Sequence, residues 1–163
     1  MDLLDKLRVI EKRRAKFAGA GALPGETVID RIIGPCEVVV GGRRTLMFGS
    51  NNYLGLTLHP EVVEASRRAV ADYGTGTTGS RTANGTLALH EDLEREFTDW
   101  FGTRHALIFS TGYQANLSLI GALCGAGDVI LIDSDSHASI YDATRQTASQ
   151  VVAFRHNSPE SLR

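Results

Sequence analysis

The chain has 163 residues, 42% of them hydrophobic and 22% charged, with a formal net charge of −2. That length can bury a real core, and the charge balance lacks the basic field that nucleic acid or an anionic membrane calls for. No apolar run approaches the ~20 residues that span a bilayer, the first seventeen residues lack the apolar centre of a secretory signal, and Cys36 and Cys124 form neither CxxC nor zinc spacing, so a reducing, cytoplasmic setting is expected.

Leu3, Leu4, Leu7 and Ile10 recur at helical spacing between charges, which predicts an amphipathic arm over residues 2–17. The stretch AGAGALPGE, residues 18–26, breaks it. IIGPCEVVVGGRRTLMF, residues 32–48, reads as two short strands around Gly41-Gly42, a hairpin signal. GSNNYLGLTLHP is a loop that ends on Pro60, well placed to open a helix. In that helix Val62, Val63, Ser66, Ala69, Val70 and Tyr73 share a face, and Gly74 closes it. A long glycine and threonine loop, GTGTTGSRTANGT, follows. Thr86 is placed to cap the next helix, where Leu89, Leu93, Phe97 and Phe101 repeat every four residues up to Gly102. Its charges, Glu91, Asp92, Glu94, Arg95 and Glu96, read as a solvated face.

A strand is expected at Ala106–Phe109, then the turn STGYQAN, then a helix carrying Ala115, Leu119, Ile120 and Leu123. Strand Val129–Asp133, a helix over roughly residues 139–148 and strand Val151–Phe154 complete the pattern, and Ser158-Pro159 looks like the capped start of another helix. Strands alternating with helices at short spacing, each strand continuously apolar, argue an α/β fold with a mostly parallel sheet and helices on both faces. A helix beginning in the last six residues would not stand alone, so the chain reads as a fragment of something longer.

Three stretches carry chemistry. Residues 74–79 spell GxGxxG, but the dinucleotide reading needs a strand before it and a helix directly after. Here a helix precedes and a loop follows, which leaves a flexible loop or a loop that lets a ligand approach the backbone. STGYQAN has the better context, because it leaves the C-terminal end of a buried strand and enters a helix. The first N–H groups of a helix lack intrahelical partners and its dipole favours an anion. Ser110 and Thr111 add hydroxyls and Gly112 allows close approach, so the stretch is either a plain turn or a phosphate site. The second strand end, DSDSHAS, brings His137 to the same edge of the sheet with Asp133 and Asp135 nearby. That histidine can be structural, a general base, a metal ligand or a flat ring for stacking. A second histidine at ligand spacing is missing, and so is a GxSxG nucleophile elbow. His90 and His156 have readings as caps or hydrogen-bonded groups, and His59 and His105 as surface residues.

NNYLGL (51–56), GTGTTGSRTANGT (74–86) with HEDLE (90–94), FSTGYQAN (109–116), DSDSHASIYD (133–142) and FRHN (154–157) together resemble the N-terminal part of the α-oxoamine synthases. These are fold-type I enzymes that use pyridoxal 5'-phosphate (PLP) to condense an amino acid with an acyl thioester, with loss of carbon dioxide, to an α-amino ketone. Within the family the motifs are most similar to the bacterial serine palmitoyltransferase branch, while NNYLGL is shared with members that use glycine or alanine. The resemblance implies residues 1–58 as an arm and hairpin segment and residues 59–163 as the first part of a large PLP-binding domain. It implies that Ser110, Thr111, Gly112 and Tyr113 hold the PLP phosphate. His137 would stack on the pyridine ring and orient the bound amino acid. Asn51 or Asn52, and Ser80, would approach the amino-acid carboxylate or the acyl thioester from the neighbouring subunit of a homodimer. The family also needs a Schiff-base lysine, an aspartate on the pyridine nitrogen and an arginine for the substrate carboxylate. The only lysines here are Lys6, Lys12 and Lys16, in the arm, so the 163 residues alone are expected to be inactive. The alternative from the same residues is a non-catalytic partner subunit that keeps the phosphate pocket.

Overall fold

The computed structural model describes residues 2–18 and 27–163. The break expected at residues 18–26 lies, beyond Ala18, outside them. Contacts divide the chain into two compact units, residues 1–76 and residues 77–163.

The first unit holds α1 (Leu3–Ala18), the expected arm. β1 (Arg31–Ile32), β2 (Glu37–Val40) and β3 (Arg43–Leu46) form an antiparallel sheet in that order. Gly41 and Gly42, at φ 55° and 74°, make the tight turn between β2 and β3, the conformation two-residue hairpins demand. β1 adds a third strand that the hairpin pattern did not announce. α2 (Pro60–Tyr73) opens on Pro60 and closes on Gly74, which caps it at φ 79°. A 3-10 turn over Leu56–Leu58 precedes it.

The second unit holds α3 (Ala88–Phe101), α4 (Gly112–Leu123), β4 (Val129–Asp133), α5 (Ala138–Thr144), β5 (Gln150–Phe154) and α6 (Pro159–Leu162). β4 and β5 pair in parallel, Val129 opposite Gln150 through Asp133 opposite Phe154, with α5 as the crossover. Ile132 on β4 and Ala143 on α5 are buried, whereas Leu131 remains 56% exposed. Among the described residues, then, β4 is covered on one face only.

Four expectations are corrected. Ala106–Phe109 is not a strand, because no other described residues form a ladder with it. Thr86 does not cap α3; its hydroxyl donates to the Arg81 carbonyl, and the ring of His90 accepts the Leu87 N–H at the helix start instead. α5 stops at Thr144 rather than near residue 148, since the backbone bonds beyond it close over three residues, from Gln146 N–H to Ala143 and from Thr147 N–H to Thr144. Glu94 is not on a solvated face: its side chain is only 15% exposed.

Candidate functional site

Thr111 is the N-cap of α4, and its hydroxyl oxygen accepts the Gln114 N–H at 3.1 Å. That leaves the N–H groups of Gly112 and Tyr113 without an acceptor among the described residues. They carry the positive end of a twelve-residue helix. Among the described residues the Ser110 hydroxyl has no partner either, and open space lies where a Cβ on Gly112 would be. Two free N–H groups, two hydroxyls and a backbone open to approach suit a dianionic phosphate.

His137 stands beside this cradle. Its ring meets the Tyr113 ring edge-on, with centroids 6.4 Å apart and an interplanar angle of 76°. The Tyr113 hydroxyl donates to Asp142, which raises the phenol above its ordinary value and holds the carboxyl below its own; Arg145 also pairs with Asp142, at 2.6 Å. Asn116, one turn along α4, donates to Ser139, whose hydroxyl lies 2.7 Å from His137 Nδ1. Two polar links therefore tie α4 to α5: Tyr113 to Asp142 and Asn116 to Ser139. Residues 113 and 116 share one face of α4, and 139 and 142 one face of α5.

The run into the cradle is held from outside itself. Arg81, in the glycine loop, pairs with Glu94 through both terminal nitrogens, at 2.5 and 3.1 Å, and reaches the Ile108 carbonyl. Glu94 accepts the Ile108 N–H at 2.8 Å. The Arg81 guanidinium and, after it, the Ile108 N–H bring the Glu94 carboxyl down to about 2. The loop itself is closed: the Ser80 carbonyl accepts the N–H groups of Ala83, Asn84 and Gly85, and a Cβ on Gly85 would run into the carbonyl of Gly79. The Ser80 hydroxyl lies 2.9 Å from that of Thr82. The GxGxxG letters thus sit between a helix and a turn, not between a strand and a helix.

At the end of β4 Asp133 accepts from Asp135 N, His156 Nδ1 and Asn157 N. These bonds, the Asp135 N–H foremost and the His156 ring next, hold its carboxyl low, while Asp133 raises His156. Asp133 and His156 are thus occupied with each other.

In the first unit Asn52 secures its own loop, donating to the Pro35 carbonyl at 3.3 Å and accepting the Thr57 N–H. Asn51 is exposed and accepts from the Tyr53 hydroxyl at 3.2 Å. The structure thus brings Ser110, Thr111, Gly112, Tyr113 and His137 together, and the asparagines belong to the other unit. Sequence reasoning passed over Arg81, Glu94, Asn116, Ser139 and Asp142. The signal for the last three was the three-residue spacing within 113–116 and 139–142, which puts each pair on one helix face.

The family profile for aminotransferase class I and II matches residues 43–163. Serine palmitoyltransferase of Caulobacter vibrioides is 46% identical over 99% of this chain and 40% of its own length. A putative 8-amino-7-oxononanoate synthase of Mycobacterium tuberculosis is 48% identical over 72% of this chain and 15% of its own. A solved variant of serine palmitoyltransferase from S. paucimobilis with a bound PLP–myriocin aldimine superposes with a TM-score of 0.93, at 42% identity, over 99% of this chain and 41% of that one. The chain spans about 40% of the length of these serine palmitoyltransferases. The chain belongs to the class I and II aminotransferases, with the N-terminal part of the PLP-dependent fold-type I architecture of the α-oxoamine synthase group, and is similar to bacterial serine palmitoyltransferase.

Proposed function

We propose that the protein carrying this chain condenses an L-amino acid, serine in the first place, with an acyl thioester of CoA or a carrier protein. A carbon–carbon bond forms between the amino acid's Cα and the thioester carbonyl. The C–S bond breaks to release the thiol, and the carboxylate leaves as carbon dioxide, giving an α-amino ketone of the 3-ketosphinganine type. PLP, when bound, takes up the electron pair left at Cα. Ser110, Thr111 and the N–H groups of Gly112 and Tyr113 hold its phosphate. His137 lies against its ring and orients the bound amino acid.

The observation that carries this reading is the pair of free N–H groups at the start of α4 beside the His137–Tyr113 ring pair, at 6.4 Å. Asn51 or Asn52, and Ser80, approach the substrate from the neighbouring subunit of a homodimer. Residues 1–58 serve as arm and hairpin, and residues 59–163 open the large domain. A cytoplasmic setting is part of the proposal; among the described residues no helix is long and apolar enough to cross a membrane. The chemistry needs a lysine from outside residues 1–163, so these residues alone are inactive.

The 48% identity to a putative 8-amino-7-oxononanoate synthase supports a second reading, with another amino acid and a different acyl group. A spectral titration of the PLP-loaded protein with serine, glycine and alanine, followed by thiol release from acyl-CoA of graded length, separates the two. Serine alone perturbing the cofactor spectrum, with long-chain acyl-CoA consumed, is the expected result. A response to alanine or glycine and none to serine overturns the serine assignment.

A further inference from the structure

We propose that Ser139 and Asn116 are positioning residues that fix the tautomer and the plane of the His137 ring. His137 is the N-cap of α5, and its Nδ1 lies 3.2 Å from the backbone N of Ser139. A backbone N–H can only donate, so Nδ1 must present its lone pair. An imidazole with a lone pair on Nδ1 is neutral and carries its proton on Nε2. The Ser139 hydroxyl, 2.7 Å from the same nitrogen, then acts as a donor too. Its oxygen is in turn supplied by the Asn116 amide, 2.9 Å away across the α4–α5 seam. The direction is single throughout: Asn116 Nδ2–H to Ser139 Oγ, and Ser139 Oγ–H to His137 Nδ1. Reversing the ring proton would set an N–H against the Ser139 N–H and break the cap. Ser139 is fully buried, so water does not compete for these bonds.

The other ring nitrogen, Nε2, has no partner among the described residues. With Nδ1 committed to the helix, the ring meets a ligand through its flat face and through an N–H donor, not through a lone pair. That removes general-base and metal-ligand roles from the resting ring. The Tyr113 edge, itself tied to Asp142, supports the ring from the α4 side. The consequence for ligand binding rests on the proposed placement of PLP against His137; the tautomer does not.

The two parts are tested apart by nitrogen NMR of the histidine-labelled protein as encoded, without and with PLP, His137 being assigned by loss of its signals in His137→Gln. The expected spectrum has an unprotonated Nδ1 and a protonated Nε2 in both states. Ser139→Ala deletes the shorter, 2.7 Å bond and leaves the tautomer to the 3.2 Å backbone contact alone; it should let the Nδ1-protonated form appear at the expense of the cap and weaken PLP binding roughly fivefold, the worth of about one hydrogen bond. Asn116→Leu, which keeps the branching and heavy-atom count at a half-buried site, should act in the same direction and reads the same network if Ser139→Ala does not fold. A ring protonated on Nδ1, or folded variants with the parent's ring signals, overturns the proposal. Shifted tautomers with unchanged PLP affinity uphold the positioning role and sink the placement of PLP against the ring instead.

Discussion

Two backbone runs deliver the site, and they are held in different ways. β4 reaches Asp133 through a parallel ladder with β5, so its register is set by main-chain bonds five residues long. Ala106–Phe109 reaches Ser110 with no ladder among the described residues; its Ile108 N–H and carbonyl are taken by Glu94 and Arg81. A ladder spreads the task over many equivalent bonds, whereas a clamp concentrates it in two side chains. The run that leads to the start of α4 should therefore be the one that single substitutions can dislodge.

The largest effect is expected at Gly85. Its Cα packs against the carbonyl of Gly79, backbone on backbone, with no flexible side chain to yield. Gly85→Ala should open the loop that presents Arg81 and cost about 3 kcal/mol, read as a lower denaturant midpoint at unchanged slope. Glu94→Ala comes next. It strands the Arg81 guanidinium and leaves the Ile108 N–H without its acceptor, at a cost of about 2 kcal/mol. Glu94→Gln should fall between Glu94→Ala and the parent, since it still accepts from Ile108. Both Glu94 variants should weaken PLP binding more than any single substitution on the exposed face of β5. Equal PLP affinity in Glu94→Ala and the parent would show that the ladder-free run is positioned by something other than the clamp.

The same contrast explains what could be read from the sequence. Elements fixed by local chemistry were legible: Pro60 and Gly74 bound α2, Gly41-Gly42 turns the hairpin, and β4 has the expected limits. The start of α4 was legible for the same reason, because a strand-like run, two hydroxyls and a glycine at a helix start are neighbours in sequence. Contacts between distant residues were not. Glu94 lies thirteen residues from Arg81 and fourteen from Ile108, and in sequence it looks like any charge on an amphipathic helix. Ser139 lies 23 residues from Asn116, and nothing in either segment announces the other until α4 and α5 pack. Ala106–Phe109 was misread in the complementary way, since apolar composition marks a strand candidate but only a partner makes a ladder.

The smallest effect sharpens the comparison through pH. The clamp and the ladder end both weaken in acid, through Glu94 and Asp133, but only the ladder end should also weaken as the pH rises, through His156. Glu94 titrates near 2 in the folded protein against an ordinary 4.5, so its contribution is complete above about 4.5 and is lost as the pH falls from there toward 2. His156, at the end of β5, is raised above 6.5 by its bond to Asp133. Its contribution is complete below 6.5 and is lost as the pH rises through the raised value. Asp133 is already ionised throughout that window, being held below 3.8, and Tyr113, held above 10, titrates beyond it. The alkaline step thus belongs to His156, and it is small because the ring is 61% exposed and solvent screens the pair. Denaturation midpoints against pH for the parent, Glu94→Gln and His156→Gln should show the acid decline flattened in the first variant and the shallow alkaline decline removed in the second. If His156→Gln keeps the parent's alkaline decline, the Asp133–His156 pair contributes nothing to holding the ladder end, which then rests on the main-chain ladder and on the Asp135 and Asn157 N–H groups that Asp133 accepts.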